Sequence, residues 1–255
     1  MFKSLFKPGH GLVSLLPELA SQCAVCRSWP SSQVCTPCIA RFSPDGLRCT
    51  ACAIALPADL SMGTRVRHGL CADCLRQHPP VDATLVAASY AYPWSELITR
   101  YKFGDKPGWA PFFAGLLLSK AGVSDAFSAL DRQDVIIPMP LSVERLQERG
   151  FNQAWELAVA LARKSGCSAQ ADAQLLLRVR HTRPQTELRR EARLANVKGA
   201  FQLDPLRAAM VAGSRVVLVD DVMTSGASLF TAAGVLRAAG ATHITALAIA
   251  RTAAS

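Results

Sequence analysis

Read for hydrophobic and polar positions alone, the chain changes character near residue 80. Residues 1–78 show little regular periodicity and are rich in Cys, Pro and Gly, as small metal-stapled modules are. His78-Pro79-Pro80 marks the break. Beyond it, ATLVAASYAY (83–92) reads as a strand, and 94–103 and 110–121 read as helices. DVIIPMP (134–140) reads as a buried strand, and 151–165 as a helix whose apolar face includes Phe151, Leu157, Ala158 and Leu161. Strands at 174–179, 200–203, 215–220 and 243–250 follow, with a helix over about 226–238 that ends at Gly240. Short apolar runs alternating with helices predict an α/β domain built on a mainly parallel sheet covered on both faces. The expected organisation is thus a Cys-rich module over 1–80 and an α/β domain over 81–255.

Composition supports a packed core, since half of the 255 residues are hydrophobic. No run approaches the roughly 18 apolar residues that cross a bilayer, so no membrane span is expected. The opening MFKSLFKPGHGLVSLLPELASQC resembles a signal peptide only superficially, because Pro17 and Glu18 break its apolar stretch. Leu12, Leu15, Leu16 and Leu19 fit one face of a short helix better. The expected location is cytoplasmic.

Nine cysteines change the picture, because a reducing compartment leaves them metal binding or redox chemistry. Eight form CxxC pairs: Cys23/Cys26, Cys35/Cys38, Cys49/Cys52 and Cys71/Cys74. Such a pair brings two thiolates to one ion from a single turn, and two turns complete a tetrahedral site. Four pairs therefore predict two structural Zn2+ ions. Disulfides would suit a secreted protein, and a redox CxxC would occur once, beside a βαβ unit. Cys167 stands alone and reads as a small buried hydrophobe rather than a nucleophile. His68, three residues before Cys71, is a distant substitute ligand.

The formal charge of +9 shifts with that metal chemistry. Residues 1–80 carry eight Lys/Arg and four Asp/Glu, and eight thiolates with two Zn2+ bring their net of +4 to about neutral. Residues 178–198 hold seven basic and two acidic side chains, a net of +5 that equals the excess of the whole α/β domain.

The most informative stretch is VVLVDDVMTSGAS (216–228). Four apolar residues end at Asp220 and Asp221, and a Thr-Ser-Gly turn then opens a helix. Ligands of open α/β sheets bind at the carboxyl ends of strands. Backbone N–H groups and hydroxyls at a helix N-terminus suit a phosphate, and Gly226 permits close approach. Two carboxylates beside that turn can accept hydrogen bonds from sugar hydroxyls, so one compact turn matches a ribose 5-phosphate. The plainer reading is that the two aspartates cap a helix and Thr224 satisfies a turn. Against it, two carboxylates at the end of a buried strand are costly unless something uses them. The stretch is neither a Walker loop nor a GxGxxG fingerprint.

These residues resemble the phosphoribosyltransferase signature, and the whole series resembles the ComF family of phosphoribosyltransferase-like proteins. The series runs from the CxxC pairs through YKFGDK (101–106), PMPL (138–141), ERGFNQA (148–154) and TRPQTELRREARLANVKGAF (182–201) to the signature and ALAIAR (246–251). The family typically has threonines where Ser225 and Ser228 stand, a change that keeps the hydroxyls. The resemblance implies a type I phosphoribosyltransferase fold, a parallel sheet of about five strands with helices on both faces, preceded by a double zinc ribbon. It supports pairing Cys23/Cys26 with Cys35/Cys38 and Cys49/Cys52 with Cys71/Cys74. By the same resemblance the ligand is 5-phosphoribosyl-1-pyrophosphate with Mg2+. Asp220 and Asp221 would hold the ribose hydroxyls, and Thr224, Ser225, Gly226, Ala227 and Ser228 the 5′-phosphate. The turn containing Pro140 would lie near the pyrophosphate, and the 178–198 segment would form a mobile lid over it.

Other polar residues keep two readings each. Arg145, Arg149, Asn152 and Gln153 either reach the pyrophosphate or dress a helix terminus. Arg183, Gln185, Arg189, Arg190 and Arg193 either close over pyrophosphate, bind phosphates of single-stranded DNA, or form a solvated surface. Trp94, Tyr101, Phe103 and Trp109 are core residues by their helical spacing, with base-stacking platforms as the alternative. Two functions follow. One is a phosphoribosyltransferase acting on an unidentified acceptor. The other is a non-catalytic nucleotide-sugar or single-stranded-DNA-binding module serving DNA uptake beside DNA-uptake proteins, the role associated with the family.

Overall fold

The computed structural model describes residues 21–57, 69–104, 108–179 and 199–253. They fall into two compact units, one ending at Arg41 and one beginning at Phe42. In the first unit the chain turns twice around four cysteines and runs into α1 (Thr36–Phe42), with Cys23, Val34 and Cys38 buried.

The second unit opens with another Cys-rich turn and α2 (Ala72–Arg76), and then follows the expected alternation. Its elements are β1 (Ala83–Ser89), α3 (Trp94–Phe103), α4 (Trp109–Leu118), α5 (Ala121–Ser128), β2 (Val135–Pro138), α6 (Val143–Arg149) and α7 (Gln153–Ser165). After them come β3 (Gln170–Ala171), β4 (Leu176–Arg178), β5 (Phe201–Leu203), β6 (Arg215–Met223), α8 (Ala227–Ala238) and β7 (His243–Arg251).

Five strands form one sheet in the order β1-β7-β6-β2-β3, and every pairing in it is parallel. Side chains alternate across a strand, so a parallel sheet buried on both sides needs apolar residues at both parities. Val216, Leu218, Ile244, Ala246 and Ala248 pack in one core with Leu229, Ala232, Ala233 and Leu236 of α8. Val217, Val219, Leu247 and Ile249 are equally buried on the opposite parity, the side on which α7 lies against β6 and β2. Helical spacing on α3 buries Trp94, Leu97, Ile98 and Tyr101, and on α7 it buries Leu157, Ala158 and Leu161.

The expectations differ from the structure in several places. The strand expected over 174–179 pairs antiparallel with Phe201–Leu203 as a separate hairpin, and the sheet edge is the two-residue β3 instead. The helix expected over 110–121 stops at Leu118, and a new helix begins at Ala121. Cys167 is half-buried, its Sγ 3.8 Å from the Ala169 carbonyl, rather than part of the core. Trp94 and Tyr101 lie in the core as their spacing suggested, Trp109 is half-buried, and Phe103 is 59% exposed. No helix among the described residues is long and apolar enough to cross a membrane. The leucines at 12–19 lie outside the described residues.

Candidate functional site

β6 delivers Asp220 and Asp221 to the carboxyl end of the sheet and continues to Met223. The chain then turns through Thr224, Ser225 and Gly226 into α8, a helix of 12 residues. Gly226 has φ +81, and a Cβ built on it would meet Met223 Cε at 2.5 Å and the Phe230 ring at 2.6 Å. Both facts make glycine necessary here, since L-residues pay for positive φ and the space is filled. Ser225 Oγ accepts a hydrogen bond from Ala227 N–H at 3.3 Å, which orients the first turn of α8. Thr224 and Ser228 are half-buried beside it, and Ala227 is buried.

β2 ends next to the acid pair. The Met139 N–H donates to the Val219 carbonyl at 2.8 Å, which extends the ladder past Pro138 and fixes the turn containing the half-buried Pro140. Asn152 holds that turn from the other side, donating Nδ2–H to the Met139 carbonyl at 3.1 Å while its Oδ1 accepts from Ala154 N–H at 3.0 Å. It therefore caps α7 and anchors the turn at once. Gln153, 1% exposed, donates to the Lys102 carbonyl at 3.2 Å and accepts from Arg149 NH1 at 3.0 Å. Tyr101 OH donates to the Gln153 carbonyl at 2.6 Å. Thus the structure commits Asn152 and Gln153 to internal hydrogen bonds, and directs Arg149 toward the carboxylates.

Two cations reach Asp221. Lys102 Nζ lies 2.9 Å from Oδ1 and Arg149 NH1 4.0 Å from Oδ2, and all three side chains are largely buried. Arg149 also stacks over Phe103 at 5.2 Å, and its Nε is buried with no hydrogen-bond partner among the described residues. In the sequence Lys102 figures only as part of YKFGDK. A lysine near the end of an amphipathic helix carries no signal of the carboxylate it meets about 120 residues later. Arg178, on β4, is close enough for Arg145 to lower its pKa and Asp220 to raise it, though burial is the main reason that it is lowered.

Burial pushes the Asp220 carboxyl up to about 7, and the neighbouring Asp221 charge adds to that. The Asp221 N–H, which donates to Asp220 Oδ1 at 2.8 Å, pulls in the opposite direction, as do Lys102 and Arg149. The result is a carboxylate pair ringed by cations at a strand end, a site suited to a polyanion that also carries hydroxyls. A divalent cation fits beside carboxylates of this kind, since hard ions take oxygen ligands. Arg183, Gln185, Arg189, Arg190 and Arg193 lie outside the described residues.

The cysteines gather as two sets of four, Cys23/Cys26/Cys35/Cys38 and Cys49/Cys52/Cys71/Cys74, each with its sulfurs within 4.8 Å of one another. Cys26 and Cys35 sulfurs are 3.6 Å apart, and Cys52 and Cys71 sulfurs 3.7 Å. Tetrahedral zinc with Zn–S of about 2.3 Å requires edges of about 3.8 Å, so both sets can bind zinc. Main-chain N–H groups point at the sulfurs in matching places, Cys35 to Cys23 and Cys71 to Cys49, both at 3.3 Å. The thiols split without a cation. A hydrogen bond from Cys52 draws Cys49 down to about 4, whereas burial drives Cys38 and Cys74 up to about 12. Burial also opposes ionisation of Cys23, but backbone N–H groups prevail and lower it to about 6. A divalent ion removes this conflict by binding all four as thiolates together. His68 lies outside the described residues.

Residues 145–255 match the family model described as the phosphoribosyl transferase domain. The chain is 33% identical over 219 residues to DNA utilization protein YhgH of Shigella flexneri, covering 86% of this chain and 90% of that one. It is 33% identical over 187 residues to Competence protein F of Haemophilus influenzae, covering 71% and 78%. Over 226 residues it is 28% identical to Competence protein ComFC of Bacillus subtilis, covering 83% and 86%.

Proposed function

The chain belongs to the ComF family of phosphoribosyltransferase-like proteins, and from that premise we propose that its α/β domain binds 5-phosphoribosyl-1-pyrophosphate with Mg2+. The observation that carries the proposal is the junction of β6 and α8, where paired carboxylates lead directly into a turn that only glycine can complete. In this reading Asp220 and Asp221 take the ribose hydroxyls, and the N–H groups and hydroxyls of Thr224–Ser228 take the 5′-phosphate. The pyrophosphate lies by the Pro140 turn, within reach of Arg149 and Lys102. The buried, unpartnered Arg149 Nε supports that position. Arg183, Gln185, Arg189, Arg190 and Arg193 supply further charge and hydrogen-bond donors for it in the same reading. Mg2+ would be held by the aspartates and would neutralise charge on the pyrophosphate. Each four-cysteine set holds one structural Zn2+.

The names of the relatives, DNA utilization and competence, support a role in DNA uptake or use, with DNA-uptake proteins as partners. A second reading, binding of single-stranded DNA without group transfer, is favoured by the +5 charge within residues 178–198. Isothermal titration of the full chain with phosphoribosyl pyrophosphate and Mg2+ tests the first reading, and saturable one-to-one heat is expected. A pyrophosphate-release screen with nucleobases and DNA then identifies any acceptor. No heat, together with DNA affinity whose logarithm falls by roughly 0.7 per phosphate per decade of salt, would replace it with the second.

A further inference from the structure

Arg251 ends β7 at 7% exposure, in register with Met223 at the end of β6. A guanidinium at that depth needs acceptors on every side. Its Nε donates to the Cys52 carbonyl at 2.9 Å. Its NH1 donates to the Thr252 carbonyl at 2.8 Å, to Thr252 Oγ1 at 3.1 Å and, at 3.5 Å, to the Met223 carbonyl. Cys52 belongs to the second cysteine set, and Met223 immediately precedes the turn at Thr224–Gly226. Thr252 closes the arrangement, its N–H donating to Met223 O at 3.0 Å and its Oγ1 to Thr224 O at 3.5 Å.

The cysteine turn is held by more than this one contact. Four successive carbonyls accept hydrogen bonds, three of them from the α/β domain and the fourth from Arg48 within the cysteine segment. Thr50 O accepts from Thr84 N–H at 2.7 Å, Ala51 O from Thr84 Oγ1 at 2.7 Å, Cys52 O from Arg251, and Ala53 O from Arg48 NH1 at 3.1 Å. Ala53, directly after Cys52, takes φ +54, and Arg27, directly after Cys26, takes φ +66, so the left-handed residue belongs to the CxxC bend itself. Cys49 precedes this bend and Cys52 lies within it, so an ion bound by them pins the backbone that carries these carbonyls.

We propose that Arg251 is a positioning residue through which the second four-cysteine set, when it holds its metal, fixes the turn at Met223–Gly226. The metal at Cys49/Cys52/Cys71/Cys74 is then a part of the sugar-phosphate site at one remove. Its loss frees the Cys52 carbonyl, takes away the acceptor that holds Arg251 Nε, and leaves the Met223 and Thr224 carbonyls less constrained. The consequence for ligand rests on the phosphoribosyl reading of the turn. The mechanical coupling does not, and it is measured without ligand.

The test is amide hydrogen exchange on the full chain. Arg251→Met keeps the apolar stem and removes the donors. Metal content should stay unchanged, and amides of 223–228 should exchange roughly tenfold faster, as loss of charge-assisted hydrogen bonds implies. Amides of 245–249 in β7 should keep their protection. In a Cys26→Ser background, chelation that empties the second set should produce the same acceleration at 223–228, and adding Arg251→Met should add nothing further. Additive effects, no acceleration on metal removal, or equal acceleration in β7 and the turn would each overturn the proposal. Should Arg251→Met not fold, the chelation arm alone decides. Ribose 5-phosphate affinity should fall in step with the exchange. If wild type does not bind it, the ligand reading fails while the exchange result stands.

Discussion

At the residue scale, Asp220 sets opposite demands on the empty and the occupied site. Its carboxyl sits at about 7 in the fold, with burial the main cause and the Asp221 charge the second. In the unfolded chain it ionises near about 3.9. The folded form therefore binds the proton more tightly, and this group's stabilising contribution, fully present below about pH 4, is lost as pH rises toward about 7. Under the proposed function ligand binding runs the other way, because ribose hydroxyls and Mg2+ would require the ionised carboxylate. Affinity for phosphoribosyl pyrophosphate with Mg2+ is expected to rise through about pH 7, standing roughly tenfold below its plateau one unit lower. Asp220→Asn should flatten both slopes, in melting curves without ligand and in titrations with it. Lys102→Met should move the step to higher pH, since it removes a charge that holds the carboxyl down. Unchanged profiles in both variants would show that another group carries the pH dependence. Asp220 and Asp221 stood out in the sequence as site candidates because charge at the end of a buried strand is anomalous. Lys102 was not, because what distinguishes it is a contact made by folding.

At the scale of elements, the junction between β6 and α8 depends on a single missing side chain. Gly226→Ala would place a methyl against Met223 Cε and the Phe230 ring at φ +81. The methionine tip can swing aside, but the ring belongs to a helix packed on the sheet, so the turn must shift. Left-handed strain and overpacking together should cost about 2–4 kcal/mol. Chemical denaturation should read that loss, and ribose 5-phosphate affinity should fall by at least the fraction expected from displaced N–H donors. Full affinity in a destabilised variant would mean that the turn does not contact the phosphate. The same junction explains which elements could be read in advance. β6 and β7 carry continuous apolar runs, and α3 and α7 carry apolar residues at the helical period, so these elements and the helix faces follow from the sequence, while β6 runs three residues beyond its expected end to Met223. α6 escapes that pattern because none of its residues is buried: Ser142 caps its start and Gly150, at φ +75, ends it. β3 has two residues, too few to show a period, and the β4–β5 hairpin has the composition of sheet strands while pairing only with itself.

At the scale of the molecule, the two cysteine sets belong to different compact units. The first closes within the unit ending at Arg41, and the second lies in the unit beginning at Phe42. CxxC spacing tells which thiols can share an ion but not what their turns pack against, so sequence composition drew the division at His78-Pro79-Pro80. Cys49, Ala51, Cys52, Ala53 and Cys74 share one core with Val86, Val216, Ile244 and α8. Removing them would expose that core and leave the buried Arg251 without its Cys52 acceptor, a penalty of several kcal/mol by the usual cost of buried truncations and unpaired charge. Metal analysis should return about two zinc ions for the full chain, one for a fragment spanning 42–255, and none for 81–255. The 42–255 fragment should melt cooperatively near the full chain and keep phosphoribosyl pyrophosphate affinity. The 81–255 fragment should melt far lower or fail to fold. Equal melting of the two fragments would show that the second cysteine set contributes nothing to the α/β domain, and it would restore residue 80 as the division that matters for stability. Loss of folding in 42–255 would instead show that the sheet depends on the first set as well.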